Sequence, residues 1–236
     1  MTAHYRDLGR AAAPPGAVAL PLPAPCAEQG ASPLPAVYRR FGKRALDVAL
    51  VLAAAPVVFL LVAVLALIVA RDGGRPFYTQ DRVGRDGRIY RIWKLRSMVA
   101  DAEARLEAHL AADPAARAEW DHSQKLRHDP RITRFGRLLR KSSLDELPQL
   151  WNVLRGDMSL VGPRPMMPCQ RALYPGTEYY ALRPGITGPW QVSSRNETGF
   201  AERARFDAGY HRDLSLATDL RLILATVRVV LRATGH

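Results

Sequence analysis

Two cysteines, Cys26 and Cys169, are all that the 236 residues contain. Their scarcity excludes a disulfide framework and fits a reducing compartment. No Cys/His spacing of the zinc-binding kind occurs. Acidic residues are also short, 22 against 34 lysines and arginines, leaving a net charge of +12. That imbalance asks for an anionic partner, whether nucleic acid, acidic lipid or a phosphorylated substrate. The plain alternative is a generally basic soluble surface. No nucleic-acid-binding motif is present, which argues against the first partner. There is no internal repeat, and the length suits one domain of ordinary size.

Residues 1–36 lack the makings of a core. They hold seven of the 18 prolines, Pro14, Pro15, Pro21, Pro23, Pro25, Pro33 and Pro35, among many alanines. Proline at this density blocks helices and central strands, so a disordered tail is expected. The prolines also interrupt any apolar stretch that a signal peptide would need.

Charge is absent altogether from Val48–Ala70, VALVLAAAPVVFLLVAVLALIVA. As one helix this run is roughly 34 Å long, enough to cross a bilayer core. Its length and lack of a polar face argue against a buried core helix. Pro56 removes a backbone hydrogen bond and clashes with the preceding turn. A break there leaves arms of roughly 12 and 21 Å, neither long enough to cross. Arg39, Arg40, Lys43 and Arg44 precede the run; Arg71, Arg75, Arg82, Arg85 and Arg88 follow it. Positive flanks mark the cytoplasmic side, and here both flanks are positive. A re-entrant helix keeps both inside, whereas a kinked span puts one outside; the balance favours re-entry.

Beyond the run, Phe77–Gln80 and Ile89–Leu95 read as strands joined by a Gly84, Asp86, Gly87 turn. Ile89, Trp93 and Leu95 share one face, Lys94 the other. Asp101–Ala112 reads as an exposed helix, extended by Trp120–Arg127, and Ile132–Arg140 as a short basic amphipathic helix. Leu214–Arg232 is a long helix with Arg221, Arg228 and Arg232 on one face. It either packs in the core or lies on an anionic membrane surface.

Chemistry concentrates in Ser143-Leu-Asp-Glu146. Ser143 as N-cap with Glu146 reaching back is one reading, but it puts Pro148 inside the second turn. A helix starting at Asp145 places Pro148 in the tolerated first turn. Either way Asp145 is expected near a helix N-terminus, where anions are stabilised. Arg137, Arg140 and Lys141 lie just upstream. A carboxylate among cations is what attack on phosphorus needs, because the cations and a metal neutralise a pyrophosphate that would repel it. One Mg²⁺ bridging Asp145 and diphosphate oxygens would suffice. Val161-Gly-Pro-Arg-Pro165 holds Arg164 in a rigid loop suited to a phosphate or nucleobase. Arg183-Pro-Gly-Ile-Thr-Gly188 presents Arg183 similarly. Gln191, Ser193, Arg195 and Asn196 form a polar loop. Asp207, taken alone, reads as an exposed helix carboxylate.

The succession KRALDVAL, the proline-centred apolar run, FYTQDRVG, WKLRSM, RKSSLDELPQLWNVLRGDMSLVGPRP, RPGITGPWQVSSRN and DLRLI resembles the bacterial sugar transferase family. These are the monotopic phosphoglycosyl transferases, which make polyprenyl diphosphate sugars. The likeness runs from about Phe41 to Leu231. The Asp101–Arg127 insertion and QKLRHDPRIT resemble the branch that starts exopolysaccharide synthesis with a hexose 1-phosphate.

The resemblance implies that Asp145 is the nucleophile, taking the sugar phosphate from a UDP-sugar and releasing UMP, and that it also ligates Mg²⁺ or Mn²⁺. Glu146 would be its dyad partner. Lys94 and Arg140 would contact phosphate, Gly162, Pro163, Arg164 and Pro165 would bind the nucleotide sugar, and Asp207 would complete the site. Family members break the membrane helix at a Ser-Pro pair; here the pair is Ala55-Pro56, which lacks the hydroxyl.

The expected architecture is α+β and mostly helical: a membrane-embedded re-entrant helix, a small β-hairpin and amphipathic interfacial helices. Its parts are a tail at 1–36, the membrane helix at 37–72 and a catalytic domain at 73–236 on the cytoplasmic face of the bacterial inner membrane. It is read as a catalytic core with a single membrane insertion. Expected partners are a UDP-sugar, polyprenyl phosphate and the lipid bilayer, with no nucleic acid; a homo-oligomer is left open, as is galactose against glucose. The competing reading is a membrane-anchored basic scaffold or regulator without catalysis, which gives no role to SLDEL, VGPRP and Lys94.

Overall fold

The computed structural model describes residues 36–71, 73–123, 126–193 and 202–231. The proline-rich tail, Cys26, Arg195, Asn196 and Arg232 fall outside the described residues. Among the described residues helices dominate, and the strands form two small pairs.

Helix α1 spans Lys43–Ala70, entered through a π-turn at Tyr38–Gly42. Together they make a continuous 33-residue helix, long and apolar enough to cross a membrane by length and composition. The helix runs on through Pro56, which is exposed. Its buried residues, Asp47, Val51, Leu65, Ala66 and Val69, form one stripe. Leu52, Val57, Phe59, Leu60 and Leu67 are exposed. Proline's clash opens the side of the helix on which it sits. Since Pro56 faces away from the body, a bend there tips both helix ends toward it.

Both ends are indeed fastened to the same body. At the first, Asp47 Oδ1 accepts from Ser159 Oγ and the Leu160 amide, each at 3.0 Å. Lys43 pairs with Asp219 at 2.8 Å, and the Tyr38 hydroxyl donates to the same carboxylate at 2.6 Å. At the second, Arg96 donates to the Val69 carbonyl at 2.9 Å, and Leu65, Ala66 and Val69 pack on Leu95 and Leu139. Asp47 and Val69 would be about 33 Å apart along a straight helix.

Strands β1 (Phe77–Val83) and β2 (Ile89–Leu95) form an antiparallel hairpin with Phe77 opposite Leu95 and Val83 opposite Ile89. β1 thus runs three residues past the stretch that its alternation marks, because Arg82 and Val83 pair with Tyr90 and Ile89. The turn needs left-handed backbone at Asp86 and Gly87, residue types that tolerate it. Asn152, fully buried, covers the outer edge of β2 by accepting from the Trp93 amide and donating to the Arg91 carbonyl. This satisfies ladder groups that would otherwise be orphaned.

Helices α2 (Ala102–Ala112) and α3 (Pro114–Ser123) form an exposed pair; Arg131 lies 5.0 Å over the Trp120 ring. Then come α4 (Arg134–Ser142), α5 (Gln149–Arg155) and β3 (Ser159–Val161). A short α6 (Glu178–Ala181) leads to β4 (Gly185–Thr187), which pairs in parallel with β3. The chain continues as α7 (Pro189–Val192), α8 (Arg203–Arg212) and α9 (Leu216–Leu231). The β3–β4 pair has no counterpart in the sequence reading, since three-residue strands show no measurable period. Gly162 follows β3 where a Cβ would collide with the Arg183 carbonyl, so only glycine permits this pairing. Val161 packs there with Leu182, Tyr210 and Leu214.

Candidate active site

The site is built around the junction of α4 and α5. Thr133 caps α4 by accepting from the Gly136 amide at 2.8 Å. α4 ends at Ser143, whose φ of 57° is left-handed. A non-glycine residue pays for that conformation in strain. The reversal drops Leu144–Glu146 into a tight 3-10 turn, and α5 begins only at Gln149, after Pro148.

This corrects both sequence readings of the segment. Ser143 closes one helix instead of capping the next, and its side chain makes no cap hydrogen bond. Asp145 lies in the first turn of this short 3-10 helix, and α5 starts four residues later. Cations therefore take the place of the expected helix dipole.

Asp145 is 8% exposed. Burial raises its carboxyl to about 6 from the usual 3.8; Lys94 opposes the rise, Glu146 adds to it and Arg140 opposes it. Its own backbone N–H also favours the anion. Lys94, reaching from β2, donates to Glu146 Oε1 at 2.7 Å. Arg140 is oriented by Ser97, whose hydroxyl accepts from its Nε at 2.8 Å. Arg137 and Lys141 are exposed on α4. The structure thus brings together Asp145, Glu146, Lys94 and Arg140.

The remaining predicted residues gather in a second cluster. Gly162 and Pro163 are buried, and their backbone groups pair with Thr187 and Gly185 at 2.8 Å. Arg164 is exposed and lies 5.5 Å over the Trp190 ring, with Arg203 at 4.3 Å from the same ring. Asp207, far from being an exposed helix residue, is buried and accepts from the Tyr174 hydroxyl at 2.7 Å. Its carboxyl is raised to about 6 by burial, against the Tyr174 bond and Arg203. Arg203 is lowered to about 10 by burial and by the Arg164 and Arg82 charges.

The two clusters sit toward opposite ends of the hairpin. Lys94 is paired with Tyr78, and Arg82 with Tyr90, four residues or about 13 Å along the strands. Tyr78, Gln80, Arg82 and Lys94 share one face of it. A ligand touching both clusters must be extended and anionic. Arg183 serves neither: it donates to the Gly156 carbonyl at 3.0 Å, closing the end of α5.

Sequence reasoning missed Ser97, Arg82, Trp190, Tyr174 and Arg203. Ser97 and Arg82 lie inside the WKLRSM and FYTQDRVG stretches, which were the available signal. Arg203 had none.

The carboxylates of the turn are placed to help hold a metal. Among the described residues no group of three or more His, Cys, Asp or Glu side chains converges. Asp145 and Glu146 suit a hard cation that takes its other ligands from substrate oxygens and water.

Comparison with known proteins gives the family. The bacterial sugar transferase family matches residues 38–233. The chain is 48% identical over 198 residues to a UDP-galactose-lipid carrier transferase of Erwinia amylovora, covering 83% of this chain and 42% of that protein. It is 49% identical over 169 residues to an undecaprenyl-phosphate galactose phosphotransferase of Salmonella typhimurium, covering 71% and 36%. It is 41% identical over 199 residues to the exopolysaccharide production protein ExoY of Rhizobium meliloti, covering 84% and 86%. The chain therefore spans less than half the length of the first two and most of the third. With the match running from the π-turn through α9, this chain belongs to the bacterial sugar transferase family.

Proposed function

We propose that this protein transfers a hexose 1-phosphate from a UDP-sugar to polyprenyl phosphate, releasing UMP, as the first membrane step of exopolysaccharide synthesis. The observation that carries this reading is the buried Asp145 carboxylate set between Lys94 and Arg140. The relatives' names supply undecaprenyl phosphate and galactose as the substrates to try first.

The geometry performs the reaction in two displacements. A carboxylate oxygen of Asp145 attacks the phosphorus that carries the sugar; the bond to UMP breaks and its electron pair leaves on UMP. The resulting acyl phosphate is then attacked by an oxygen of the polyprenyl phosphate, which restores the carboxylate. Lys94 and Arg140 offset the charge that accumulates between two anions. Glu146 keeps Lys94 in place at 2.7 Å. A Mg²⁺ or Mn²⁺ ion, when bound by Asp145, Glu146 and diphosphate oxygens, would supply Lewis-acid neutralisation of the departing charge. Arg164, with Pro165 fixing its loop, and Asp207's cluster receive the nucleotide end.

The topology we propose rests on α1. Both of its ends rest on one body, and its outer face is apolar between them. A helix crossing the bilayer would carry one end away from that body, so α1 enters and returns through the cytoplasmic leaflet. There it meets cytoplasmic UDP-sugar on one side and the lipid acceptor on the other. The test is incubation with a panel of UDP-sugars and undecaprenyl phosphate, reading UMP and lipid product. Asp145→Asn and excess EDTA should each abolish both; normal turnover in Asp145→Asn refutes the proposal.

A further inference from the structure

An open crevice of about 350 Å³ lies between α1 and the segment that follows the catalytic turn. From α1 come Val51, Ala55, Val58 and Val62, spaced four, three and four residues apart and so on one face of the helix. This is the stripe whose two ends are pinned to the body, and the crevice opens between the pinned ends. The opposite wall is Leu147, Pro148 and Trp151. Phe77 and Trp93 complete it, ring edge to face at 6.2 Å. Among the described residues no charged side chain lines it. Its size falls within the range of ligand sites.

The position of the crevice is more telling than its size. Leu147 and Pro148 stand two and three residues after Asp145. Trp93 precedes Lys94 on β2 and points to the opposite face of the hairpin, so the crevice borders the strand that carries this cation. An apolar crevice thus borders the turn that carries the nucleophile, a distribution that complements one long apolar chain ending in a phosphate. The nucleotide half of the site instead gathers three cations, Arg82, Arg164 and Arg203, around Trp190 and Asp207.

We infer that the crevice between α1 and the Leu147–Trp151 wall seats the first isoprene units of the polyprenyl phosphate acceptor and so delivers its phosphate to the sugar phosphate on Asp145. This rests on the transfer reaction proposed above. It makes α1 a substrate-binding wall as well as an anchor, and it assigns Ala55, the residue before Pro56, the task of leaving room for the chain.

The test fills the crevice. In Ala55→Trp, single-turnover UMP release from UDP-sugar without acceptor should match wild type, because the nucleotide sugar does not enter the crevice. The KM for undecaprenyl phosphate should rise about tenfold or more. Across geranyl, geranylgeranyl and undecaprenyl phosphates, wild type should show KM falling with chain length, and Ala55→Trp should flatten that trend. A KM within about twofold of wild type, with the chain-length trend intact, overturns the inference. To guard against a misfolded variant, unaltered protein is irradiated with a benzophenone-bearing isoprenyl phosphate. Label should fall on the α1 and Leu147–Leu154 peptides and be displaced by undecaprenyl phosphate but not by a phospholipid. Label elsewhere, or equal displacement by phospholipid, also overturns it. If wild type releases no UMP at all, the transfer reaction itself fails, while the labelling still reports on the crevice.

Discussion

Lys94 and Glu146 close a 2.7 Å ion pair one residue away from Asp145. The nearest strand-borne cation is therefore already shared with a second carboxylate when it faces the nucleophile. Burial, with the Glu146 charge adding to it, leaves Asp145 with a carboxyl near 6 against the pull of Lys94 and Arg140. An anion that is costly to form is also a willing nucleophile, whereas a tightly paired one would be inert.

Glu146→Gln tests that arrangement. It removes a like charge and frees Lys94 for Asp145, and both changes lower the Asp145 carboxyl. In wild type, kcat/KM for UMP release should rise with pH as the Asp145 carboxyl ionises and level off above that. In Glu146→Gln the midpoint should move to lower pH, and overall transfer should fall. An unchanged or higher midpoint would contradict the sharing.

Asp145→Asn should stabilise the fold. The native carboxyl, near 6, lies above its unfolded value of 3.8, so between these values the native state holds the extra proton. Stability is then lost as pH rises through that window, and the variant escapes the loss. The gain is about 3 kcal/mol at most at pH 7.5 and should vanish below about pH 4. Chemical denaturation of both proteins at the two pH values measures it. A variant less stable than wild type at pH 7.5 would mean that Asp145 is held by bonds worth more than its burial costs.

Introduced cysteines report the topology of α1. In a chain with Cys26 and Cys169 changed to serine, Val37→Cys and Arg75→Cys should both react only with reagent reaching the cytoplasmic side. These positions are exposed and flank the helix. Reaction of Val37→Cys from the opposite side would establish a spanning helix. Pro56→Leu removes the residue that opens the outer face and should shift the population toward the straight form.

Much of this was legible in the chain before folding. α1, the hairpin and the amphipathic helices announce themselves through an uncharged run, turn residues and helical periods. The SLDEL segment did not, because a serine three residues before a glutamate imitates a capping box. Left-handed backbone at a serine carries no sequence mark, and Pro148 hinted only that something there was unusual. Asp207 was similarly obscure. Its burial comes from Tyr174 and its field from Arg203, and helical spacing around residue 207 reveals neither. Arg82 looks like an exposed polar residue of a strand, yet distant elements enclose it. What sequence pattern supplies is local; what it lost here depends on partners far along the chain.

The central claim is that Asp145 becomes covalently attached to the sugar phosphate before the lipid acceptor is needed. The direct measurement is incubation of the protein with UDP-sugar radiolabelled in the sugar, without acceptor, followed by denaturation and counting of protein-bound label. The account predicts stoichiometric label on wild type, release of an equal amount of UMP, discharge of the label on adding undecaprenyl phosphate, and none on Asp145→Asn. Protein without label, together with UMP release that requires the acceptor, would contradict it and leave Asp145 as a metal ligand or base in direct transfer.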